Sequence, residues 1–231
     1  MKLCCVLLII VLVYLYIGGY DRIYHYAVTE SIVNTVGPVH REWNVVSTYD
    51  NSESAANMLS RLNSVMLEFL RVLERRYHVN VPEDSEGYDA AGITHTPGDT
   101  YNYVAHLIRN YNPDEFYEND PQYSKDTSYT IAKGGRTHLC LRERGNPTQL
   151  VPDDIMLFVM LHEASHMANY NDIGHSTQFW EVFKFILHEA VLAGIYTPVD
   201  YAKYPVDYCG LLINYQPLDD NTLRDLWLPA A

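Results

Sequence analysis

Basic side chains are scarce in this chain. Its 16 lysines and arginines face 29 aspartates and glutamates, a formal charge of −13. Such a balance repels phosphate backbones, and basic clusters are no longer than pairs such as Arg75–Arg76, so a nucleic-acid partner read through a basic face is excluded as the main function. Cysteine is also sparse, with four in 231 residues, too few for a disulfide-built scaffold. No N-x-[ST] acceptor with a permissible middle residue occurs, and no internal repeat is visible. An apolar content of 48% suits one ordinary core with an appendage rather than two full domains.

The first twenty residues, MKLCCVLLIIVLVYLYIGGY, form a long apolar run. As a helix, about 18 residues reach about 27 Å, close to the hydrocarbon core of a bilayer. An uncleaved anchor embedded through residues 3–20 and a cleaved signal peptide compete here. The length and the absence of a small-x-small cleavage site favour the anchor, and Tyr14, Tyr16 and Tyr20 suit its interface end. Lys2 before the run places the N-terminus in the cytosol and the body across the membrane; cleavage would make the protein secreted. Cys4 and Cys5 lie within the run. Cys140 and Cys209 belong to the body, where a disulfide and two buried free thiols are equally open readings.

Residues 21–50 read as a membrane-proximal extended segment, and residues 51–231 as the globular domain. From residue 51, Leu59, Leu62, Met66, Phe69, Leu73 and Tyr77 recur every three or four positions, which predicts a long amphipathic helix started by an Asp50/Glu53 capping box. The stretch 78–99 is punctuated by Pro82, Gly87, Gly92, Pro97 and Gly98 and reads as loop, with a short strand at His78–Val81. A shorter helix follows over 100–111. SYTIA and RTHLCLR around KGG predict a hairpin. DDIMLFVMLHEASHMANYN is apolar almost all round, as a helix buried against a sheet would be, and is broken at Gly174. STQFWEVFKFILHEAVLAG is a further helix capped by Ser176, and the Tyr/Pro-rich tail wraps the body.

The chemistry concentrates in LHEASHMANYNDIGHSTQFW, residues 161–180. His162 and His166 are four apart, so a helix projects both imidazoles from one face, spaced for a single Zn²⁺. Glu163 sits about 100° further round, within reach of a metal-bound water as its acid/base. A catalytic zinc site wants a third protein ligand. His175 fits best, following the turn-forming Gly174 and preceding the capping Ser176; Asp172 is the next candidate, and Glu181 and Glu189 are rivals on the following helix. HEAVL at 188–192 has Leu192 where a second histidine would stand, so His188 and Glu189 read as the exposed side of that helix. Tyr208, Tyr204 and Tyr201 are candidate oxyanion donors, and an extended peptide would pair with an edge strand at Thr137–Leu141.

HEASH followed by GHSTQFW resembles the zincin metallopeptidases of the SprT-like and WLM-like groups, and resembles membrane-anchored proteins of large DNA viruses. The resemblance covers about residues 128–212. It implies an α+β zincin-like domain, a small mainly antiparallel sheet packed on the HExxH helix and further helices, here behind an N-terminal transmembrane helix. It also implies His162, His166 and His175 as ligands of one zinc ion and Glu163 as the catalytic residue. The expected function is a membrane-anchored zinc endopeptidase acting on polypeptides. The alternative is a membrane-anchored structural or binding protein that uses the same zinc only for stability. The strong acidity and the lack of a basic or zinc-finger extension depart from members that act on DNA-bound protein.

Overall fold

The stripe of Leu59, Leu62, Met66, Phe69 and Leu73 becomes the buried face of helix α1, Ser52–Tyr77. The computed structural model describes residues 23–30, 39–79, 100–170, 172 and 174–227. Helix α1 starts without a side-chain cap from Asn51, and the Asp50/Glu53 box does not form. Instead Ser52 Oγ donates to Val46 O at 2.8 Å, tying the helix start to the strand before it. The helix ends at His78, whose left-handed φ of 52° lets its backbone N–H reach Glu74 O. The strand expected from His78 therefore does not begin there; residues 80–81 lie outside the described residues.

A five-stranded sheet runs in the order β1-β2-β3-β5-β4. Strands β1 (Ile23–Glu30) and β2 (Val39–Val46) are antiparallel. Strand β2 is parallel to β3 (Phe116–Glu118), and β3 is parallel to β5 (Arg136–Leu139). Strand β4 (Tyr129–Ile131) closes the order, antiparallel to β5. The sheet is mixed rather than mainly antiparallel, because β3 inserts from a distant loop between β2 and β5. Residues 21–50, read as a separate membrane-proximal segment, supply two strands of this sheet, and Trp43 and Val45 of β2 are fully buried beside Phe116 and Leu139. The β4–β5 hairpin forms as the KGG turn predicts, with Ala132, Lys133 and Gly134 at positive φ. A Cβ on Gly134 would lie 2.2 Å from Asn110 O, so only glycine fits there.

Helix α2 (Thr100–Asn110) and helix α1 both pack on α3 (Asp153–Ala168), which also contacts β4 and α4 (Thr177–Leu192). Eleven residues of α3 are buried, as its all-round apolar sequence requires. Two short hairpins, β6–β7 (Arg142–Glu143, Asn146–Leu150) and β8–β9 (Val206–Tyr208, Leu211–Ile213), complete the body. Arg142 and Glu118, both fully buried, pair at 2.5 Å. Glu118 also accepts from Val46 N at 2.6 Å, and Arg142 lies over the Tyr49 ring at 4.2 Å. This ionic knot fastens β2, β3 and β6 together.

Among the described residues, no helix is long and apolar enough to cross a membrane. Helix α1 has the length but carries Glu53, Arg61, Glu68, Arg71 and Glu74; α3 has the apolarity, but its 16 residues reach only about 24 Å. The single-pass arrangement and the transmembrane helix of the expected fold are corrected accordingly: no described helix supplies them. Residues 1–20, on which that expectation fell, lie outside the described residues.

Candidate metal centre

Helix α3 sets His162 and His166 one turn apart with ring centroids 5.0 Å from each other. The chain then has to double back within nine residues. Lys133, from the β4–β5 turn, donates to Asn169 O at 2.7 Å and to Asp172 O, and Gly174 takes φ +90°. His175 thereby returns to 4.9 Å from the His162 ring and 5.0 Å from the His166 ring. Ser176 caps α4 directly afterwards, its Oγ accepting from Phe179 N at 3.3 Å, so the position of His175 is fixed on both sides.

The three histidines offer ligand atoms that all lie within 4.8 Å of one another, and Nε2 of His162 and His175 are 2.9 Å apart. Two nitrogens on one tetrahedral zinc are roughly 3.3 Å apart, so the constellation matches such an ion with small adjustment. Burial lowers the pKa of all three rings, that of His166 to about 4, and their mutual repulsion lowers His162 and His166 further. They are neutral at pH 7, the form that ligates a metal. Aromatic rings orient them. Phe179 stacks on His166 at 4.2 Å, Trp180 on His175 at 5.6 Å, and Phe183 meets His162 edge-on at 5.1 Å.

The rival ligands are engaged elsewhere. The Asp172 carboxylate accepts from Ser176 Oγ and from Asn169 Nδ2. Glu181 pairs with Arg224 at 3.2 Å, and Glu189 pairs with Arg76. Nor is the HEAVL segment an exposed face. Glu189 is buried, and His188 stacks on Trp227 at 3.9 Å because the C-terminal tail folds back over α4.

Glu163 is buried, with Thr130 Oγ1 donating to its Oε2 at 2.7 Å. Burial pushes its carboxyl up to about 7, and the Thr130 bond offsets part of that rise. Glu163 and His162 open onto a cavity of about 370 Å³, together with Ser128, Trp180, Tyr208 and Leu212. Of the three tyrosines singled out, Tyr208 lines this cavity. Tyr201 is buried against Phe158 at 4.8 Å, and Tyr204 is exposed. The Tyr208 hydroxyl bonds Ser128 Oγ, and burial with the nearby Glu163 charge raises its pKa, so it stays protonated.

Cys140 and Cys209, the latter next to the cavity-lining Tyr208, form a disulfide, which excludes Cys140 as a free metal ligand. The bond holds the β8–β9 hairpin against the end of β5. The expected substrate edge at Thr137–Leu141 is corrected, because β5 is flanked by β3 and β4 and the outer strand is β4. Sequence reasoning missed Thr130, Ser128 and Tyr215, whose ring meets Trp180 edge-on at 5.2 Å. The hairpin signal covered Thr130 and Ser128, but no local pattern tells which helical residue a strand will face.

No protein-family profile matches the chain, and no solved structure matches it. The zincin-like fold class expected from the motif thus finds no solved counterpart and is withdrawn, leaving an α+β architecture. The chain is similar to an uncharacterized protein of Acanthamoeba polyphaga mimivirus, 37% identical over 98 residues, 42% of this chain and 48% of that protein. The match spans about half the length of that relative, whose description carries no activity.

Proposed function

We propose that this protein is a zinc-dependent endopeptidase, with His162, His166 and His175 holding the ion and Glu163 moving the proton. The observation that carries the reading is the convergence of three neutral imidazoles, one of which, His162, lines a cavity together with the buried carboxylate of Glu163. The order HExxH then Gly-His-x-x-x-Phe, resembling SprT-like and WLM-like peptidases, points the same way. Among the described residues three protein ligands gather rather than four, which suits a catalytic rather than a closed structural site. Zinc held by these three neutral ligands would keep its full charge and would supply Lewis acidity toward a carbonyl oxygen and toward water.

The chain's own groups carry the proton transfers. Glu163, with a carboxyl near neutrality, takes a proton from the attacking water and returns it to the leaving amine. Thr130 fixes Oε2, which leaves Oε1 as the exchanging oxygen. Tyr208 presents a protonated hydroxyl toward the carbonyl oxygen as charge builds on it. Among the described residues strand β4 ends the sheet, and Thr127 and Ser128 just before it line the cavity, so an extended peptide can add along that edge. The net charge of −13 favours a polypeptide over a nucleic acid as substrate.

Metal analysis and hydrolysis of a mixed peptide pool by wild type, Glu163→Gln and His175→Ala test the proposal together. One zinc in wild type and Glu163→Gln, with cleavage only in wild type and neither property in His175→Ala, is expected. A folded protein that takes up no zinc would sink it. Zinc bound without any cleavage would leave the stabilising role, in a non-catalytic binding protein, as the better account.

A further inference from the structure

We infer that the cavity beside Glu163 is a specificity pocket for one large apolar side chain, leucine- or phenylalanine-like, next to the bond that is cut; this rests on the endopeptidase reading. Phe158 and Val159 of α3 and Trp180 and Phe183 of α4 line the cavity, and Leu211 and Leu212 of β9 line it from the hairpin. These two leucines are 53% and 55% exposed. Adjacent half-exposed leucines beside a concave apolar surface gain by being covered, and an apolar side chain in the cavity covers them. Among the described residues no lysine or arginine lines the cavity, and Glu163, the one acid there, is held by Thr130 through Oε2 and committed to the proton transfer through Oε1. A charged side chain entering would lose its hydration with no partner to replace it. About 370 Å³ lies at the small end of ligand sites and admits one bulky side chain with its neighbouring backbone. Because His162 and Glu163 belong to the same wall, that side chain sits adjacent to the reacting carbonyl.

The hairpin is held in place by more than its own ladder. The Cys140–Cys209 disulfide anchors it, and Arg144 Nε donates to Cys209 O at 2.8 Å while Nη1 reaches Ser124 O at 2.8 Å. The leucine wall is therefore preformed, and a change at Leu212 alters the rim without disturbing the core.

Calorimetric titration of the zinc-loaded Glu163→Gln protein decides the matter, using short Gly/Ser/Ala peptides with one central Phe, Asp or Lys. Affinity for the Phe peptide is expected to exceed the other two by about ten-fold or more. Adding Leu212→Asp should abolish that preference and favour Lys. Equal binding of the three peptides, or a Phe preference that survives Leu212→Asp, overturns the pocket. Wild-type hydrolysis separates the two readings: cleavage without side-chain preference sinks the pocket alone, whereas selective binding with no cleavage sinks the endopeptidase and leaves the pocket standing.

Discussion

Thr130 Oγ1 stands 2.7 Å from Glu163 Oε2, so a strand of the sheet's outer hairpin aims the carboxylate of the HExxH helix. Removing the hydroxyl frees a buried carboxylate to rotate and takes away a bond that favours its charged form. Thr130→Val is expected to lower kcat by about 10- to 100-fold with KM little changed, and to shift the acid limb of the pH–rate profile upward. Thr130→Ser should restore most of the rate. A purely structural role would leave the profile in place.

Loss of the metal should be visible in stability as well as activity. With free zinc about 1,000-fold above its Kd, binding stabilises the folded state by about 4 kcal/mol, or about 10 °C in Tm for a chain of this size. Chelation of the wild type should produce that drop. His175→Ala, already unable to hold the ion, should be insensitive to chelator in scanning calorimetry.

In the metal-stripped protein, Glu163 and His166 give stability opposite pH dependences. Burial lifts Glu163 from 4.5 to about 7, so its carboxyl favours the folded state below pH 4.5 and loses that contribution as pH rises through about 7. His166 is held down from 6.5 to about 4; its contribution is complete above pH 6.5 and is lost as pH falls toward about 4. Melting curves from pH 4 to 8 should show Glu163→Gln gaining on wild type as pH rises. His166→Gln should gain as pH falls. A pH-independent difference for either variant would contradict the assigned burial.

The Cys140–Cys209 bond closes a span of 69 residues in sequence. By chain entropy, such a crosslink contributes about 4 kcal/mol. The double change Cys140→Ser and Cys209→Ser should lower Tm by about 10 °C and raise KM more than it lowers kcat, since the loosened hairpin carries Tyr208 and the leucine wall. Hydrolysis kinetics beside a thermal melt would check both effects.

Arg142 and Glu118 are paired at zero exposure. Arg142→Met strands a buried carboxylate and should cost about 3–5 kcal/mol, whereas pairing it with Glu118→Gln should recover much of the loss. Urea titration would show this as a midpoint shift at constant slope.

Helical periodicity made α1 and α4 legible and a continuous apolar run made α3 so, as the Lys133-Gly134-Gly135 turn did the β4–β5 hairpin and Ser176 the start of α4. The three histidines and Glu163 were legible because one helix and one turn bring them together. What could not be read depends on partners far apart in the chain. Strand β3 has only three residues in an acidic loop, and its pairing with Asn44 of β2 spans over seventy residues of sequence. Shorter separations, 33 and 24 residues, were still enough to hide Thr130 from Glu163 and Arg142 from Glu118. His188 and Glu189 looked exposed because helical spacing knows nothing of Trp227 or Arg76, which cover them.

The interior place of β2 limits how the molecule can be trimmed. A fragment starting at residue 51 would strip Trp43 and Val45 from the core and lay bare one flank of β3, inviting intermolecular strand pairing. The shortest piece able to fold around the histidines therefore has to begin upstream of Val39, well ahead of the first helix.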